Sequence, residues 1–385
     1  MIPFNRPPFT GTELDAVRQV IESGKLCGDG PFTALCRQEI VRQTGAKDAL
    51  LTHSCTSALE MAAILSDIGP GDEVIMPSFT FVSTANAVVL RGGVPVFVDI
   101  APDSLNLCPN QVAGAVTART KAIFAVHYAG MIAEMDALAD ICAKHGLMLV
   151  EDAAQALGAS FRGSQAGSLG DMATFSFHET KNIVSGEGGA LTINRPELVE
   201  RAEIIREKGT NRSSFMRGEV DKYTWVDIGS SFLPGELIAA FLHSQLQRVD
   251  EITERRRSLC ARYARAFAPL ADTGRLRIPA ELPDRQGNGH IFYLILTDRA
   301  ERDRFVARMR EKGISAPFHY VPLHSAPAGR QFSRQHGPLS VTDDLAGRLV
   351  RLPLFFNMTD AMQEEVIEVA MDILDSHGAS IACQG

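Results

Sequence analysis

Asp152 and Lys181 are the strongest candidates for chemistry in this sequence. Asp152 ends an apolar run that begins at residue 146, and Lys181 follows a second apolar run that ends at Phe177. An acid at a strand end can hold the protonated nitrogen of a pyridine ring, and a lysine in the loop after a later strand can form an imine with an aldehyde. Pyridoxal phosphate (PLP) carries these groups at opposite ends of one ring. The pair therefore predicts a PLP site with Lys181 and Asp152 as catalytic residues.

Both residues also have a purely structural explanation. A lysine near a glycine-rich turn is usually an exposed charge, and an acid at a strand end commonly caps the next helix. Two features favour chemistry. Glu151 and Asp152 supply two acids where a cap needs one, and Lys181 precedes Gly186-Glu187-Gly188-Gly189, where the backbone can pass close to a ligand.

A phosphate site is expected where residues 53–60 join a strand to a helix. Thr56 and Ser57 would stand at the helix start, where free N–H groups and the dipole attract an anion, and Ser176 could add a hydroxyl. An ordinary Ser/Thr N-cap explains this segment at least as well. Phe81, near another strand end, could stack on a planar ring, although one aromatic at such a position is more often core.

Strands alternate with helices from about residue 46 to residue 195, which predicts an α/β fold. The candidate strands are Ala49–Thr52, Glu73–Met76, Val94–Val98, Ala122–Val126, Met148–Glu151, Met172–Phe177 and Ala190–Ile193. The helical stretches between them are Ser57–Ser66, Thr84–Arg91, Pro109–Val116 and Glu134–Lys144. Such βα units form a mostly parallel sheet sandwiched by helices, with ligands at the carboxyl ends of its strands. Asp152 and four other polar turns fall at those ends.

The pattern changes after about residue 247. Arg248–Phe267, Glu301–Lys312 and Thr359–Ser376 are predicted helices, and Ile291–Leu296 and Ser315–Pro317 are predicted strands. We therefore expect a large cofactor-binding domain at residues 1–247 and a smaller α+β domain at residues 248–385. Two domains also suit a chain of 385 residues, because one core rarely serves that length.

Composition excludes several classes of protein. The net charge of −8 comes from interleaved acids and bases, so no nucleic-acid partner is expected. Seven cysteines without a CxxC pair predict reduced thiols, and His319 and His324 lack the spacing of metal ligands, so no metal is expected. The N-terminal residues show no export pattern and no apolar run is long enough to span a membrane, so we expect a cytoplasmic protein. Nucleotide-binding loops and the G-x-S-x-G motif of serine hydrolases are absent.

Three motifs resemble the DegT/DnrJ/EryC1/StrS family of sugar aminotransferases, which have PLP fold type I. These motifs are Glu151-Asp152-Ala153-Ala154-Gln155, Ser176-Phe177-His178-x-x-Lys181-Asn182 and Gly186-Glu187-Gly188-Gly189. The resemblance extends from Pro3 to about Leu374 and implies a Schiff-base role for Lys181, with Asp152 at the ring nitrogen. It further implies cofactor contacts from Gln155 at the phenolic oxygen, Phe81 on the ring, and Thr56, Ser57 and Ser176 at the phosphate. His319 and Tyr320 would lie near a nucleotide-sugar substrate.

Longer strings at residues 23–30, 201–213 and 221–225 resemble one branch of that family. The likeness implies amine transfer from L-glutamate, through pyridoxamine phosphate, to C4 of a dTDP-linked 4-keto-6-deoxyhexose with galacto geometry in the product, for cell-surface polysaccharide. It also implies a homodimer with shared active sites. Many relatives reach the phosphate across the dimer with an asparagine, and Ser231 is the candidate to replace it here.

Two other functions stay open. The chain could be another nucleotide-sugar aminotransferase, with a 3-amino or a gluco-configured 4-amino product, or a PLP-fold protein that binds a ligand without catalysis. A related branch of 3-dehydratases carries histidine instead of the Schiff-base lysine, and Lys181 disfavours it.

Overall fold

The structure is a computed structural model that describes residues 1–382, with side chains described to residue 375. The α-helices are α1 (Glu13–Ser23), α2 (Pro31–Thr44), α3 (Cys55–Leu65), α4 (Val82–Val89), α5 (Pro109–Ala115), α6 (Met135–His145), α7 (Val199–Arg206), α8 (Arg212–Met216), α9 (Glu236–Leu246), α10 (Val249–Asp272), α11 (Arg299–Glu311), α12 (Pro327–Phe332), α13 (Ser340–Arg348) and α14 (Asp360–Ala382). The strands are β1 (Asp48–Thr52), β2 (Glu73–Pro77), β3 (Val94–Val98), β4 (Thr120–Val126), β5 (Met148–Asp152), β6 (Ser160–Phe161), β7 (Ser164–Gln165), β8 (Met172–Ser176), β9 (Gly189–Ile193), β10 (Arg285–Gln286), β11 (Phe292–Ile295), β12 (Arg334–Gln335) and β13 (Leu349–Leu352).

The central sheet confirms the predicted mostly parallel arrangement. Within the described chain it has eight strands in the order β1-β9-β8-β5-β4-β2-β3-β12. Neighbours from β8 to β12 pair in parallel, whereas β9 is antiparallel to both β1 and β8. Because β1 and β8 therefore run in the same direction, the carboxyl ends of β1, β2, β4, β5 and β8 share one edge of the sheet.

Both faces of this sheet are buried, because its strands are nearly continuous apolar runs. On β5, Leu149 packs into a cluster with helices α6 and α9, and the next residue, Val150, packs into a cluster with α3 and α4 on the other face. Strand alternation thus divides one sequence run between two layers of helices. The fold class is α/β with the sheet sandwiched by helices, as predicted.

The C-terminal part of the chain forms its own hydrophobic cluster around the antiparallel pair β11 and β13, together with α10, α11 and α14. Contacts between the two parts occur at several places, and two of them involve the N-terminus and a sheet edge. Ile2 packs into this C-terminal cluster, and β12 pairs with β3 at the edge of the large sheet. At the junction, Val249 and Ile252 of α10 belong to the core of the large sheet, while Leu259 packs into the C-terminal cluster. The boundary at residues 247 and 248 stays a prediction.

One strand was predicted wrongly, and β13 and the two-residue strands β6, β7, β10 and β12 were missed. Ser315–Pro317 is not a strand, because Ile314 makes only an isolated bridge to Ile2. The strand that pairs with β11 is instead β13 (Leu349–Leu352), whose apolar run is interrupted by Arg351. No helix among the described residues is long and apolar enough to cross a membrane.

Candidate active site

A cavity of about 700 Å³ lies at the carboxyl edge of the central sheet. Eight of the ten predicted site residues line it, and they are Thr56, Phe81, Asp152, Gln155, Ser176, Lys181, His319 and Tyr320. The first six come from the large sheet and its helices, and the last two come from the C-terminal part. The fold therefore brings together residues that are more than 260 positions apart in the sequence.

Asp152 ends β5 and is buried. Its Oδ2 accepts a hydrogen bond from Thr84 Oγ1 at 2.6 Å, and Thr84 in turn contacts Thr80 Oγ1 at 2.9 Å. The backbone N–H of Ala154 donates to Oδ1 at 3.3 Å. These bonds fix the orientation of the carboxylate in the cavity wall, and among the described side chains no guanidinium or ammonium group forms an ion pair with it.

The neighbouring acid, Glu151, has a different environment. Its side chain is fully buried and accepts bonds from the N–H groups of Gly167, Leu169 and Gly170 at 2.8–2.9 Å. His127 Nδ1 accepts from a backbone N–H, so its Nε2–H donates to Glu151 at 3.0 Å. Glu151 therefore holds the turn between β7 and β8, and Asp152 is the acid that faces the cavity.

Lys181 lies in the turn after β8, where its N–H donates to His178 O at 2.9 Å. Its half-buried side chain lines the cavity. Burial lowers the pKa of the Lys181 ammonium below its usual value, while Cys55 and Asp152 act in the opposite direction. A lower pKa leaves more of the amine neutral, which is the form that acts as a nucleophile or base.

The residue after the lysine ties its loop to the C-terminal part. Asn182 Nδ2 donates to Asn288 O at 3.1 Å, so its Oδ1 faces His290 and accepts from Nδ1–H at 2.9 Å. Asn288 is anchored by bonds from its Nδ2 to the carbonyls of Gln155 and Leu157 at 2.8 and 2.9 Å. Burial lowers the pKa of His290 well below its usual value, which keeps the ring neutral.

The predicted phosphate segment forms the start of α3. Ser54 is the N-cap, and its Oγ accepts from Ser57 N at 3.1 Å. Thr56 Oγ1 lies 2.7 Å from Ser83 Oγ, and both side chains line the cavity. A Cβ on Gly189 would come within 2.3 Å of the Ser54 backbone. The glycine run after the lysine therefore lets β9 pass against the start of α3, so here the close approach is to the chain itself.

Three predicted cofactor residues are placed as follows. Phe81 is 58% exposed at the cavity, which leaves its ring free to contact a ligand. Ser57 lies within the first turn of α3 and is not among the residues that line the cavity. Ser231 lines a second cavity of about 530 Å³, together with Lys208, Arg212 and Tyr223. Within one chain, Ser231 is thus in a different cavity from Lys181.

Gln155, His319 and Tyr320 form a hydrogen-bonded rim. Gln155 Oε1 accepts from Ala129 N at 2.7 Å, and Nε2 donates to Tyr320 Oη at 3.0 Å. His319 Nδ1 lies 3.1 Å from Tyr128 Oη. Burial lowers the pKa of His319, so this ring is neutral near pH 7.

Several cavity residues were missed by the sequence reasoning. Thr84, His290, Arg256 and Arg351 all line the cavity. Thr84 comes from a predicted helix, and its contact with Asp152 spans 68 positions. Arg351 belongs to the missed strand β13. Only the contacts across the fold identify these residues, because none belongs to a local motif. Among the described residues, no group of His, Cys, Asp and Glu could hold a metal ion.

Comparison with known proteins shows the family. Residues 9–370 match the model of the DegT/DnrJ/EryC1/StrS aminotransferase family. The chain belongs to this family of aminotransferases.

One relative is dTDP-4-dehydro-2,3,6-trideoxy-D-glucose 4-aminotransferase of Saccharopolyspora spinosa, which is 34% identical over 98% of both chains. Another is the spore coat polysaccharide biosynthesis protein SpsC of Bacillus subtilis, 33% identical over 97% of both chains. A solved structure of the putative sugar aminotransferase Spr1654 from Streptococcus pneumoniae, in its PLP form, has a TM-score of 0.89 at 25% identity and covers 97% of this chain and 99% of that one. The enzyme is a PLP-dependent sugar aminotransferase.

The cavity residues fit this cofactor. The fixed carboxylate of Asp152 suits a protonated ring nitrogen, and the start of α3 with Thr56 suits a phosphate. The amine of Lys181, whose pKa is lowered by burial, suits an aldehyde. All three line one cavity whose volume of about 700 Å³ leaves room for a substrate beside the cofactor.

Proposed function

We propose that the enzyme transfers the amino group of L-glutamate to C4 of dTDP-4-dehydro-6-deoxy-D-glucose. The product is dTDP-4-amino-4,6-dideoxy-D-galactose, used for polysaccharide of the enterobacterial common antigen or O-antigen type. The observation that carries the reaction type is the placement of Lys181 and Asp152 in one cavity. The substrate is supported by the S. spinosa relative, whose name states 4-amination of a dTDP-linked sugar, and by the motifs at residues 23–30, 201–213 and 221–225. SpsC, by its name a polysaccharide biosynthesis protein, supports the pathway.

Each predicted residue has one task in this proposal. When bound, PLP supplies an electron sink and carries the amino group between the two substrates. Asp152 keeps a proton on the ring nitrogen, and Gln155 contacts the ring near its phenolic oxygen. Nζ of Lys181 accepts a proton from the donor and later delivers one to C4 of the sugar. Phosphate contacts come from Thr56, Ser57 and Ser176, ring stacking comes from Phe81, and contacts to the nucleotide-sugar come from His319 and Tyr320.

The proposal includes a homodimer with shared active sites. In it, Ser231 reaches the cofactor phosphate of the partner subunit. Exposed apolar side chains on α1, α2 and α9 support a self-association surface, and they are Leu14, Ile21, Leu35 and Leu237. Equilibrium sedimentation tests the dimer, and a weaker affinity for PLP in Ser231→Ala tests the contact. A monomer that is fully active would contradict both.

A cytoplasmic location is also part of the proposal. Its support is the state of the six cysteines in the described chain, all of which are free thiols. Fractionation of cells that express the enzyme tests this location.

A panel of sugars tests the main proposal. The PLP-loaded enzyme is incubated with L-glutamate and with dTDP-, UDP- and GDP-linked 4-keto sugars, and the products are analysed by NMR. Small H3–H4 and H4–H5 couplings, expected for an axial amine, identify the galacto product, whereas large couplings identify the gluco product. A 3-amino product, or preference for another nucleotide, would contradict the assigned substrate. Binding without turnover would favour a non-catalytic protein.

A further inference from the structure

Two arginines of the C-terminal part line the cavity, Arg256 buried and Arg351 half-buried, and each lacks an acidic partner among the described side chains. Neither Arg256 nor Arg351 has a carboxylate within ion-pair distance among the described side chains. A buried cation without a counter-ion is unfavourable unless other groups stabilise it. The contacts of the two residues differ, and this difference separates a structural role from a binding role.

Arg256 is stabilised by backbone carbonyls. Its Nε donates to Gly289 O at 2.9 Å, and its Nη2 donates to His290 O at 2.8 Å and to Leu354 O at 3.1 Å. Three carbonyl partners hold the guanidinium and at the same time fix the segment that carries His290. Arg256 therefore supports the cavity wall.

Arg351 has fewer contacts. Its Nη2 donates to Phe318 O at 3.1 Å, and its guanidinium lies 4.4 Å from the centroid of the Phe4 ring. The buried Nε has no hydrogen-bond partner among the described residues. Arg351 is thus a partly unsatisfied cation in a cavity wall, and such a fork of N–H groups matches a carboxylate.

The position of Arg351 on β13 directs it toward the reaction centre. Arg351 pairs with Tyr293 across the β11–β13 ladder, so both side chains are on the same face, and Tyr293 packs beside Tyr128. The positive charge of Arg351 lowers the pKa of Lys181, His290 and His319. Arg351 and Lys181 also line the same cavity, so the guanidinium and the amine face one shared space.

We propose that Arg351 binds the α-carboxylate of the amino donor and so aims the donor amine at the reaction centre. This inference rests on the proposed aminotransferase function and adds the residue that recognises the donor. In an α-amino acid, the carboxylate is attached to the same carbon as the reacting amine. In a nucleotide-sugar, the diphosphate is attached at C1, across the ring from the reacting C4. A cation close to Lys181 is therefore placed for the donor carboxylate, and the diphosphate lies farther toward the cavity mouth.

The two half-reactions of the PLP-loaded enzyme test this assignment separately. In Arg351→Met, the glutamate concentration for half-maximal conversion, followed by visible absorbance in single turnovers, should rise about 10- to 100-fold. The rate at which the pyridoxamine-phosphate form reacts with the keto sugar should change less than about 3-fold. The two effects differ because the charged hydrogen bond from Arg351 is lost only in the half-reaction with glutamate. Arg351→Lys keeps the positive charge but loses the forked pair of N–H groups. Its half-maximal glutamate concentration should therefore lie between those of the wild type and Arg351→Met.

Binding without turnover gives an independent readout. Titration calorimetry of glutarate, an unreactive dicarboxylate, should show a similar loss of affinity in Arg351→Met. The control is Arg299→Met, which removes an arginine of the same domain that is 80% exposed and whose nearest acid is 3.9 Å away. It should leave both half-reactions and glutarate binding unchanged. Melting temperatures and bound-cofactor absorbance establish that each variant is folded.

Other outcomes would overturn the inference. Unchanged glutamate and glutarate affinities in Arg351→Met exclude a donor role, and a slower sugar half-reaction with a normal glutamate half-reaction assigns Arg351 to the nucleotide-sugar. If wild-type enzyme reacts with a different amino acid, the choice of glutamate fails, but the α-carboxylate contact is tested with that donor. If only amines without a carboxylate react, the inference fails together with the choice of donor.

Discussion

The two sides of the active-site cavity are built in different ways. One side consists of strand ends and a helix start in the large sheet, with Asp152, Lys181 and Thr56 within a stretch of 126 residues. The other side, with His290, His319 and Arg351, comes from a connector, a loop and a two-stranded ladder. The first side follows from the topology of a parallel sheet, whereas the second depends on how the C-terminal part packs against it. We assign the chemistry common to PLP enzymes to the first side and substrate recognition to the second.

Loss of the lysine should have the largest effect. Lys181→Ala should reduce kcat by at least about 10⁴-fold and abolish the visible absorbance of the lysine-bound cofactor, because the variant has neither the nucleophile nor the base. Lys181→Arg is the control for charge and should be equally inactive. Near-normal turnover in Lys181→Ala, measured by product formation, would contradict the assignment.

Neutralisation of Asp152, the acid in the same cavity as Lys181, should have the next largest effect. Asp152→Asn should lower kcat by about 10²- to 10³-fold, because a fixed charge at the ring nitrogen is lost. Glu151→Gln is the matched control. Its carboxylate holds only the backbone and His127, so this variant should lower the melting temperature while kcat stays within about 10-fold. If kcat fell more in Glu151→Gln than in Asp152→Asn, the roles assigned to the two acids would be wrong.

A third variant weakens an ion pair between the large sheet and the C-terminal part of the chain. Glu73 of β2 accepts hydrogen bonds from Arg334 of β12 at 2.7 and 2.9 Å, and from Arg119 and Thr117. The hydrogen bond from Arg334 is the main cause that lowers the pKa of Glu73 from 4.5 to about 2. Glu73→Gln should therefore reduce the free energy of unfolding by about 2 kcal/mol at pH 7.

The pH dependence of this effect follows from the sign of the shift. Because the folded pKa lies below the unfolded pKa, the stabilisation by Glu73 is complete above about pH 4.5 and is lost as the pH falls through about 2. The difference in melting temperature between wild type and Glu73→Gln should thus be constant from pH 7 to pH 5 and shrink below that. The exposed acid Glu200, replaced by Gln, should show no such trend. If the difference in melting temperature between wild type and Glu73→Gln increased at acidic pH, the assigned ion pair between Glu73 and Arg334 would be excluded.

The smallest effect on activity is expected from a substitution of Tyr320, which the C-terminal part contributes to the rim. Tyr320→Phe removes the hydroxyl that accepts from Gln155 Nε2 at 3.0 Å. We expect a change of about 5-fold in kcat/KM for the sugar, close to the value of one neutral hydrogen bond. Gln155→Leu should be more severe, because it also loses the bond from Ala129 N. Equal losses in the two variants would mean that Gln155 acts only through Tyr320.

The sequence was sufficient to predict one side of the cavity and insufficient for the other. Asp152 and Lys181 could be predicted because each follows an apolar strand, and strand ends in a parallel sheet meet at one edge. No such rule places His290 or Arg351, whose partners Asn182 and Phe4 are 108 and 347 positions away. The strand that carries Arg351 was missed because this half-buried arginine interrupts the apolar pattern from which strands are predicted. Ser315–Pro317 had the expected composition for a strand, but it lacks a ladder partner.

Asn182 connects the two sides directly. It follows Lys181 in the chain, and its amide is bonded to both Asn288 and His290. Any shift of the C-terminal part relative to the sheet would therefore act on the turn that carries Lys181. In the proposed reaction, a substrate that displaces the C-terminal part would thus also displace the amine of Lys181, which couples occupancy of the cavity to the position of this amine.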